Sequence, residues 1–526
     1  MVKPYKIFLL VVLVFSLAAL PSLFFPKDGI KVFTKILRFP NISELLGVDT
    51  ASNQQLLDPN LKNLDRLVDS TMSTLQIINF SPNLKIDTTS NPDTTKAVDS
   101  TAISKITADI LRSRLSRIEF PDSNKNSLVQ FFESLKNKLY NKKPIRVLHY
   151  GDSQIEGDRI TSYIRARLQA KFGGRGVGLV PALPQSSQPT GVMQTSSSNW
   201  ERVTLADHGK NLSGISRYGA LGGYSMYTQS RTLFSKSTNE AWIEIQRFGN
   251  ENLTARNFER LNLYYGFNTK PFILELNIDG KANDAEIMPA SNSLKTLTWD
   301  LDKAVNTFLL KFKGEESPLV FGLSLESAKG ILVDNIPIRG SSGTDFTKTD
   351  MDFTKDMLQV LNAKLIILQF GVNVVPNVVE NYRYYENQLY NQLKAFLTAA
   401  PDASIILIGV SDVSRKEGLH YTSYPNIEKI RDAQRNAAHR AGVAFWDCFK
   451  AMGGKNSMAA WENATPPLAT KDFIHFTYRG ANLIAEMFYS AMMYEYEKYL
   501  LDKGRTNKQI AAQSDTLLIS TPLIRN

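Results

Sequence analysis

Three stretches of the chain carry residues whose types and spacing suit acyl transfer. Ser153 stands in Ile-Arg-Val-Leu-His-Tyr-Gly-Asp-Ser-Gln-Ile-Glu-Gly-Asp-Arg-Ile-Thr, residues 145–161. There a buried-strand pattern in Ile145, Val147 and Leu148 runs into a small-residue turn, and Ile160, Ile164 and Leu168 then recur at helical spacing. Gly151 lets the backbone turn sharply, and a hydroxyl just ahead of a helix has backbone N–H groups aimed at whatever it attacks. Asp152 and Ser153 equally suit the plainer task of capping that helix. Asp472 and His475 stand three apart in Lys-Asp-Phe-Ile-His-Phe-Thr-Tyr-Arg-Gly, residues 471–480, and on a helical turn they share a face. The carboxylate then accepts from one ring nitrogen of His475, fixes its tautomer and leaves the other nitrogen to take a proton from a serine. Between these sites the apolar run Leu-Ile-Ile-Leu-Gln-Phe-Gly-Val-Asn, residues 365–373, ends in a glycine turn whose Asn373 amide is a donor for an oxyanion.

As a set, Gly-Asp-Ser, Gly-x-Asn and Asp-x-x-His in this order resemble the catalytic blocks of the SGNH (GDSL) hydrolase family. The resemblance implies Ser153 as nucleophile, His475 as base, Asp472 as its orienter, and an oxyanion hole made by the N–H groups of Ser153 and a glycine together with the Asn373 amide. That glycine is placed at Gly340, because residues 330–340 read as another strand, followed by Gly-Ser-Ser-Gly. Gly219, Gly222 and Gly223 compete for the role, although no comparable buried strand precedes them. The chain departs from the family at Val374, which follows Asn373 where the family often has aspartate.

The elements around these motifs alternate. Helical periodicity over about 350–361, 380–399 and 427–441 precedes or separates strand patterns at 364–370, 405–410 and 443–446. This is the pattern of an α/β fold with a doubly wound parallel sheet, in which ligands bind at the carboxyl ends of the strands, where Ser153, Gly340 and Asn373 fall. An amphipathic helix after Gly480 closes it. Between about 186 and 330 the period changes: residues 241–248, 260–267, 271–280 and 318–325 are short strand-like segments between turn residues, as in a β-sandwich. The same placement of an insert marks peptidoglycan O-acetylesterase-type members of the family, whose inserts resemble carbohydrate-binding modules. Trp200, Tyr218, Tyr224, Tyr227, Trp242, Tyr264, Tyr265 and Trp299 supply either a sugar-stacking surface or the core and rim of that sandwich. The glycine-dense residues 172–178 lack the Gly-Lys-Ser/Thr of a phosphate-binding loop and read as a flexible loop near the active site.

At 526 residues, 43% of them apolar and 21% charged, the chain has ordinary globular composition and length for several domains. The formal charge of +10 is spread along the chain, which fits acidic envelope material and argues against nucleic acid. The single cysteine, Cys448, excludes an internal disulfide and a thiolate zinc cluster, and no metal-ligand or cofactor motif is present. Lys3 and Lys6 precede an apolar run, residues 7–25, long enough to span a bilayer with the lysines on the cytoplasmic side. It reads as an uncleaved anchor, with a signal peptide cut after Ala18 as the competing reading. The expected organisation is a membrane segment at 1–26, a polar spacer at 27–104, core halves at 105–185 and 331–504 around a β-sandwich at 186–330, and a tail at 505–526.

The expected activity is a serine esterase of the periplasmic side of the envelope, removing O-acetyl groups from a glycan, peptidoglycan foremost. An O-acyltransferase working with a membrane acyltransferase partner would use the same residues, because water and a sugar hydroxyl can attack the same acyl-serine. A glycan-binding protein without catalysis is the third reading, and the complete Ser, Asn, Asp and His set argues against it. Of the remaining histidines, His149 is expected to pack beside the nucleophile strand and His420 to reach substrate from a loop.

Overall fold

The computed structural model describes residues 30–32, 35–37, 116–137, 143–183, 191–206, 214–227, 239–249, 254–282, 285–301 and 305–503. The apolar run at 7–25, most of the 27–104 stretch, residues 105–115 of the first expected core half and the 505–526 tail lie outside them. Residues 1–68 and 69–526 are separate compact units. In the first, Ile30–Val32 and Lys35–Leu37 pair antiparallel, a ladder inside the stretch expected to be spacer.

The second unit is built on a six-stranded sheet. In chain order its strands are β1 (Ile118–Glu119), β2 (Ile145–Gly151), β3 (Ile331–Pro337), β4 (Ala363–Gln369), β5 (Ser404–Ile408) and β6 (Ala444–Trp446), arranged β3-β2-β4-β5-β6-β1. Only β1 runs antiparallel. Every residue of β2 is buried, as expected of a central parallel strand covered on both faces. Its helices are α1 (Val129–Lys136), α2 (Thr161–Phe172), α3 (Met351–Val360), α4 (Arg383–Ala399), α5 (Ile427–Ala441), α6 (Cys448–Met452), α7 (Ser457–Glu462) and α8 (Tyr478–Asp502). Leu148 and Tyr150 of β2 join Met357, Leu389, Phe396 and Ile430 of α3, α4 and α5 in one apolar cluster. Phe132 of α1, Phe172 of α2 and Tyr496 of α8 meet edge-on in another layer. The expected α/β fold with a parallel sheet is thus present. Register aligns Pro337, Gly151, Gln369, Ile408 and Trp446 in one row across the five parallel strands, so the loops that follow them open at one level.

Between α2 and β3 the chain makes two antiparallel sheets of six strands each. The first runs Ser291–Asp300, Arg260–Asn268, Leu319–Glu326, Gly223–Tyr227, Trp200–Thr204, with Gly178–Val180 also paired to Leu319–Glu326. The second runs Lys281–Ala282, Phe272–Ile278, Thr307–Gly314, Asn239–Arg247, Val192–Ser196, with Glu286–Met288 paired to Phe272–Ile278. Leu261, Leu263 and Leu323 of the first sheet share an apolar cluster with Ile243, Leu274, Leu310 and Phe312 of the second. The outer face of the first sheet, with Tyr264, Leu319 and Phe321, packs into the cluster of Leu148 and Tyr150. Leu319–Glu326 is therefore buried on both faces. Sheet pairing reaches back to Gly178, ahead of the expected boundary at 186.

One expectation needs correction. Residues 172–178 are no loop of the active site: Ile331 N–H donates to Gly173 O, at the amino end of β3 and opposite the row of strand ends. Gly174 has φ +109°, and a Cβ there would lie 2.3 Å from Ile331 O, so close packing demands the glycine. The eight aromatics that suited either a sugar platform or the sandwich core divide in favour of the core: Trp200, Tyr224, Tyr227, Tyr264 and Tyr265 are buried, while Trp242 is 37% exposed.

Candidate active site

The residue row that ends the parallel strands is where the site begins. Beyond Gly151 the chain enters a 3₁₀ turn, Ser153–Asp158, and α2 starts only at Thr161. The helix is delayed because Gly157 and Asp158 take φ +72° and +60°. A buried, bidentate Arg165–Asp158 pair at 2.6 and 3.1 Å holds that left-handed residue in place. Gly151 does not turn the chain, as its spacing had implied. Its φ is ordinary, and its role is close approach: a Cβ would lie 2.9 Å from both Gln369 O and the Ile155 side chain.

Ser153, Asp472 and His475 come together. Ser153 Oγ lies 2.8 Å from His475 Nε2, and His475 Nδ1 lies 2.6 Å from Asp472 Oδ2. With Nδ1–H donating to the carboxylate, Nε2 is the acceptor for the serine hydroxyl. The pairing of Asp472 and His475 is not made on a helical turn, as their spacing had implied. They sit in an irregular turn in which Phe473 has φ +57°, and α8 begins only at Tyr478, capped by Thr477 Oγ1 accepting from Gly480 N–H at 3.2 Å. Partial burial pushes the Asp472 carboxyl up. The His475 ring, the His475 N–H, the Thr470 hydroxyl and the Ile474 N–H outweigh that and hold it down at about 2. It is therefore ionised wherever the imidazole could act as a base.

Asn373 and Gly340 lie past the ends of β4 and β3. Asn373 Nδ2 donates to Ser341 O at 3.0 Å, which ties the two loops together. Gly340 has φ +82° and faces open space. The competing Gly219 and Gly222 are covered by side chains, Met357 and Phe353 on one and Leu205 and Ile338 on the other. Val374 is buried in the apolar cluster of the parallel sheet, and its N–H closes a turn on Gly371 O at 2.9 Å. The departure from the family at this position is thus filled by packing.

Sequence reasoning missed how these loops are held. Asp152, read there only as a cap, is 1% exposed. Oδ1 accepts from Gln154 N–H at 3.0 Å, and Oδ2 accepts from Gly371 and Val372 N–H at 3.1 and 3.3 Å. One carboxylate therefore joins the serine turn to the turn that carries Asn373. Burial pushes it up to about 6, against the hydrogen bonds it accepts. His149 is enclosed by Gln369 Oε1 at 3.1 Å and Thr161 Oγ1 at 2.9 Å, and burial holds it down to about 4, hence neutral. His420 stands exposed on a hairpin of Ser414–Glu417 and His420–Ser423. That hairpin lies against the histidine turn, where Tyr421 stacks on Phe473 at 3.6 Å between ring centroids. No local periodicity marks any of these partners, which are 200 or more residues apart for Asp152 and Gly371.

Fold and site together resemble those of the SGNH/GDSL hydrolase class. Residues 319–483 match the GDSL-like Lipase/Acylhydrolase family, a span that holds Gly340, Asn373, Asp472 and His475 but begins after Ser153. A solved structure of a peptidoglycan O-acetylesterase superposes with a TM-score of 0.57 at 21% identity, covering 72% of this chain and 99% of that one. A GDSL-like lipase from Parabacteroides merdae, at 17% identity and TM-score 0.24, covers 31% of this chain and 72% of its own. An acetyl xylan esterase, at 15% identity and TM-score 0.25, covers 31% and 81%. Comparison with curated proteins gives no match.

Proposed function

We propose that the protein is a serine esterase that removes O-acetyl groups from a cell-envelope glycan, with peptidoglycan the first candidate. The observation that carries this reading is the unbroken relay from Ser153 through His475 to Asp472, at 2.8 and 2.6 Å. Ser153 Oγ attacks the ester carbonyl while His475 Nε2 takes its proton, and the carbonyl carbon becomes tetrahedral. The N–H groups of Ser153 and Gly340 and the Asn373 amide receive the oxyanion. Asn373 has two amide hydrogens and spends one on Ser341, so the second is its donor for this task. His475 returns the proton to the leaving sugar oxygen, then draws one from the water that attacks the acyl-serine and passes it to Ser153 Oγ as the acyl–oxygen bond breaks and acetate leaves.

Hydrolysis is favoured over transfer by exposure. The His475 and Asp472 side chains are 26% and 46% accessible, so water reaches the acyl-enzyme unless a bound sugar hydroxyl is held close enough to outcompete it. The peptidoglycan O-acetylesterase structure, alike over nearly its whole length, supports the choice of glycan. In this reading residues 186–330 form an inserted, carbohydrate-binding-like β-sandwich that presents polymer to the site. Acetate release should then show a higher kcat/KM on O-acetylated peptidoglycan fragments than on a simple acetyl ester. Supplying an acetyl donor with de-acetylated glycan and finding more acetylated glycan than free acetate would instead make the protein a transferase.

The same reading puts the protein on the periplasmic side of the envelope, anchored by residues 7–25. Among the described residues no helix is long and apolar enough to cross a membrane. Full-length protein is expected to stay with membranes through high-salt and carbonate washes, and release by carbonate would remove the anchor from the proposal.

A further inference from the structure

Ser153 and His475 meet across 322 residues of sequence, and neither stands on a regular element. Strand ladders and helical hydrogen bonds fix spacing within elements. An irregular 3₁₀ turn facing an irregular loop has no such ladder, so the 2.8 Å contact needs other bonds to set it. Two side chains of the serine turn supply them. Gln154 Nε2 donates to Ile474 O at 2.6 Å, and Arg159 Nη1 donates to Phe476 O at 3.1 Å. These two carbonyls flank His475 on either side. Arg159 also reaches back into its own turn, Nη2 to Ser153 O at 2.6 Å and Nε to Glu156 O at 2.8 Å. Gln154 is further steadied by Ser411 Oγ at 3.1 Å. We propose that Gln154 and Arg159 are positioning residues that bracket His475 and set its distance and angle to Ser153.

The chemistry of the two side chains fits the task. A guanidinium is a rigid planar fork that can serve three carbonyls at once, whereas a lysine ammonium on a flexible stem cannot hold the same three directions. All three of these Arg159 bonds end on main-chain oxygens, so what they fix is backbone position. A displacement of about 1 Å in a reacting pair can cost on the order of 10²-fold in rate. Neither side chain is given a proton to move or an oxyanion to hold, so their loss should weaken the chemical step and leave substrate binding alone.

The proposal rests on Ser153 and His475 acting as nucleophile and base, and two readouts separate its failure from failure of the esterase reading. The first is kcat and KM on 4-nitrophenyl acetate. The second is the rate at which a fluorophosphonate labels Ser153, which requires the activated serine but no particular acyl substrate. For Arg159→Met we expect kcat and the labelling rate to fall together by roughly 10- to 100-fold with KM within about twofold, and free guanidinium ion to restore part of the loss. Arg159→Lys should recover little, and Gln154→Leu, the second variant should Arg159→Met fail to fold, should lose about tenfold. Folded variants that label at the wild-type rate would overturn the proposal, as would a raised KM with unchanged kcat, or a wild type that does not label. A wild type that labels but turns over no acetyl ester, with both variants labelling slowly, would uphold the bracket and remove the esterase reading.

Discussion

Ser153→Ala is expected to lower kcat for acetyl-ester hydrolysis by at least ~10⁴-fold, and His475→Ala to do nearly the same, with the double variant no worse than either. The two groups act as one unit. Without the hydroxyl there is no acyl-serine, and without Nε2 the hydroxyl keeps its proton. Asn373→Ala should cost less, about 10²- to 10³-fold, as one oxyanion donor among three. Losing the Asn373 side chain also unties the Ser341 loop, so part of its effect could come through Gly340. Asp472→Ala should also cost less than Ser153→Ala, because its half-exposed charge is screened by solvent. Far-UV circular dichroism must show each variant folded. A folded Ser153→Ala protein with unchanged turnover would end the esterase reading.

The parts of this site that could be read from sequence are the local ones. A strand pattern ending in Gly-Asp-Ser, another ending in Gly-x-Asn, and an aspartate three residues before a histidine each leave a mark within a ten-residue window. The α/β alternation of 350–446 is legible for the same reason, since each helix and strand buries its own periodic face. What holds these pieces together is long-range and polar. Asp152 looks like a helix cap and is the joint between two loops. Gln154 and Arg159 look like solvent-facing residues of a helix start, yet they bind the histidine loop. The hairpin at 414–423 carries too few apolar residues to announce itself. The aromatics of the antiparallel sheets left two readings open because stacking on sugar and packing in a core draw on the same residue types, and five of the eight went to the core. Arg146 is the extreme case: a charged residue in a strand otherwise apolar at its start, whose partners lie nearly 200 residues away.

Arg146→Met is expected to destabilise the fold by roughly 3–5 kcal/mol at neutral pH, the usual cost of stripping one partner from a buried ionic cluster. Arg146, at 1% exposure in β2, donates through Nη1 to both oxygens of Asp334 in β3 at 2.9 Å, and through Nη2 to Glu326 and to Ser324 Oγ in the first antiparallel sheet. Its Nε serves Leu361 O at 3.3 Å. This cluster is the polar seam by which the antiparallel sheet is joined to the parallel one, so its loss should be felt by both. Burial already pushes the Asp334 carboxyl above its ordinary value, with Arg146 as the largest opposing influence. Removing the cation lets the shift grow. The folded variant then keeps a proton on Asp334 at pH values where the unfolded chain, with a carboxylate value near ~4, has lost it. Over that window the folded state binds more protons, so its stability falls as pH rises and recovers on acidification. Urea midpoints should therefore show the deficit largest at pH 8 and narrowing toward pH 5. In Arg146→Met/Asp334→Asn the narrowing should shrink, because Asp334 no longer titrates, although the Glu326 carboxylate stays in place, and Oδ1 can still accept from Leu179 N–H, at 2.8 Å in the wild type. Ser153 lies just beyond the carboxyl end of the strand whose amino end carries Arg146, ~20 Å away at about 3.3 Å per residue, so kcat per folded molecule should be unchanged. A loss below about 1 kcal/mol, or the same deficit at both pH values, would show that water or side-chain relaxation already screens the cluster and that apolar packing alone holds the two sheets together.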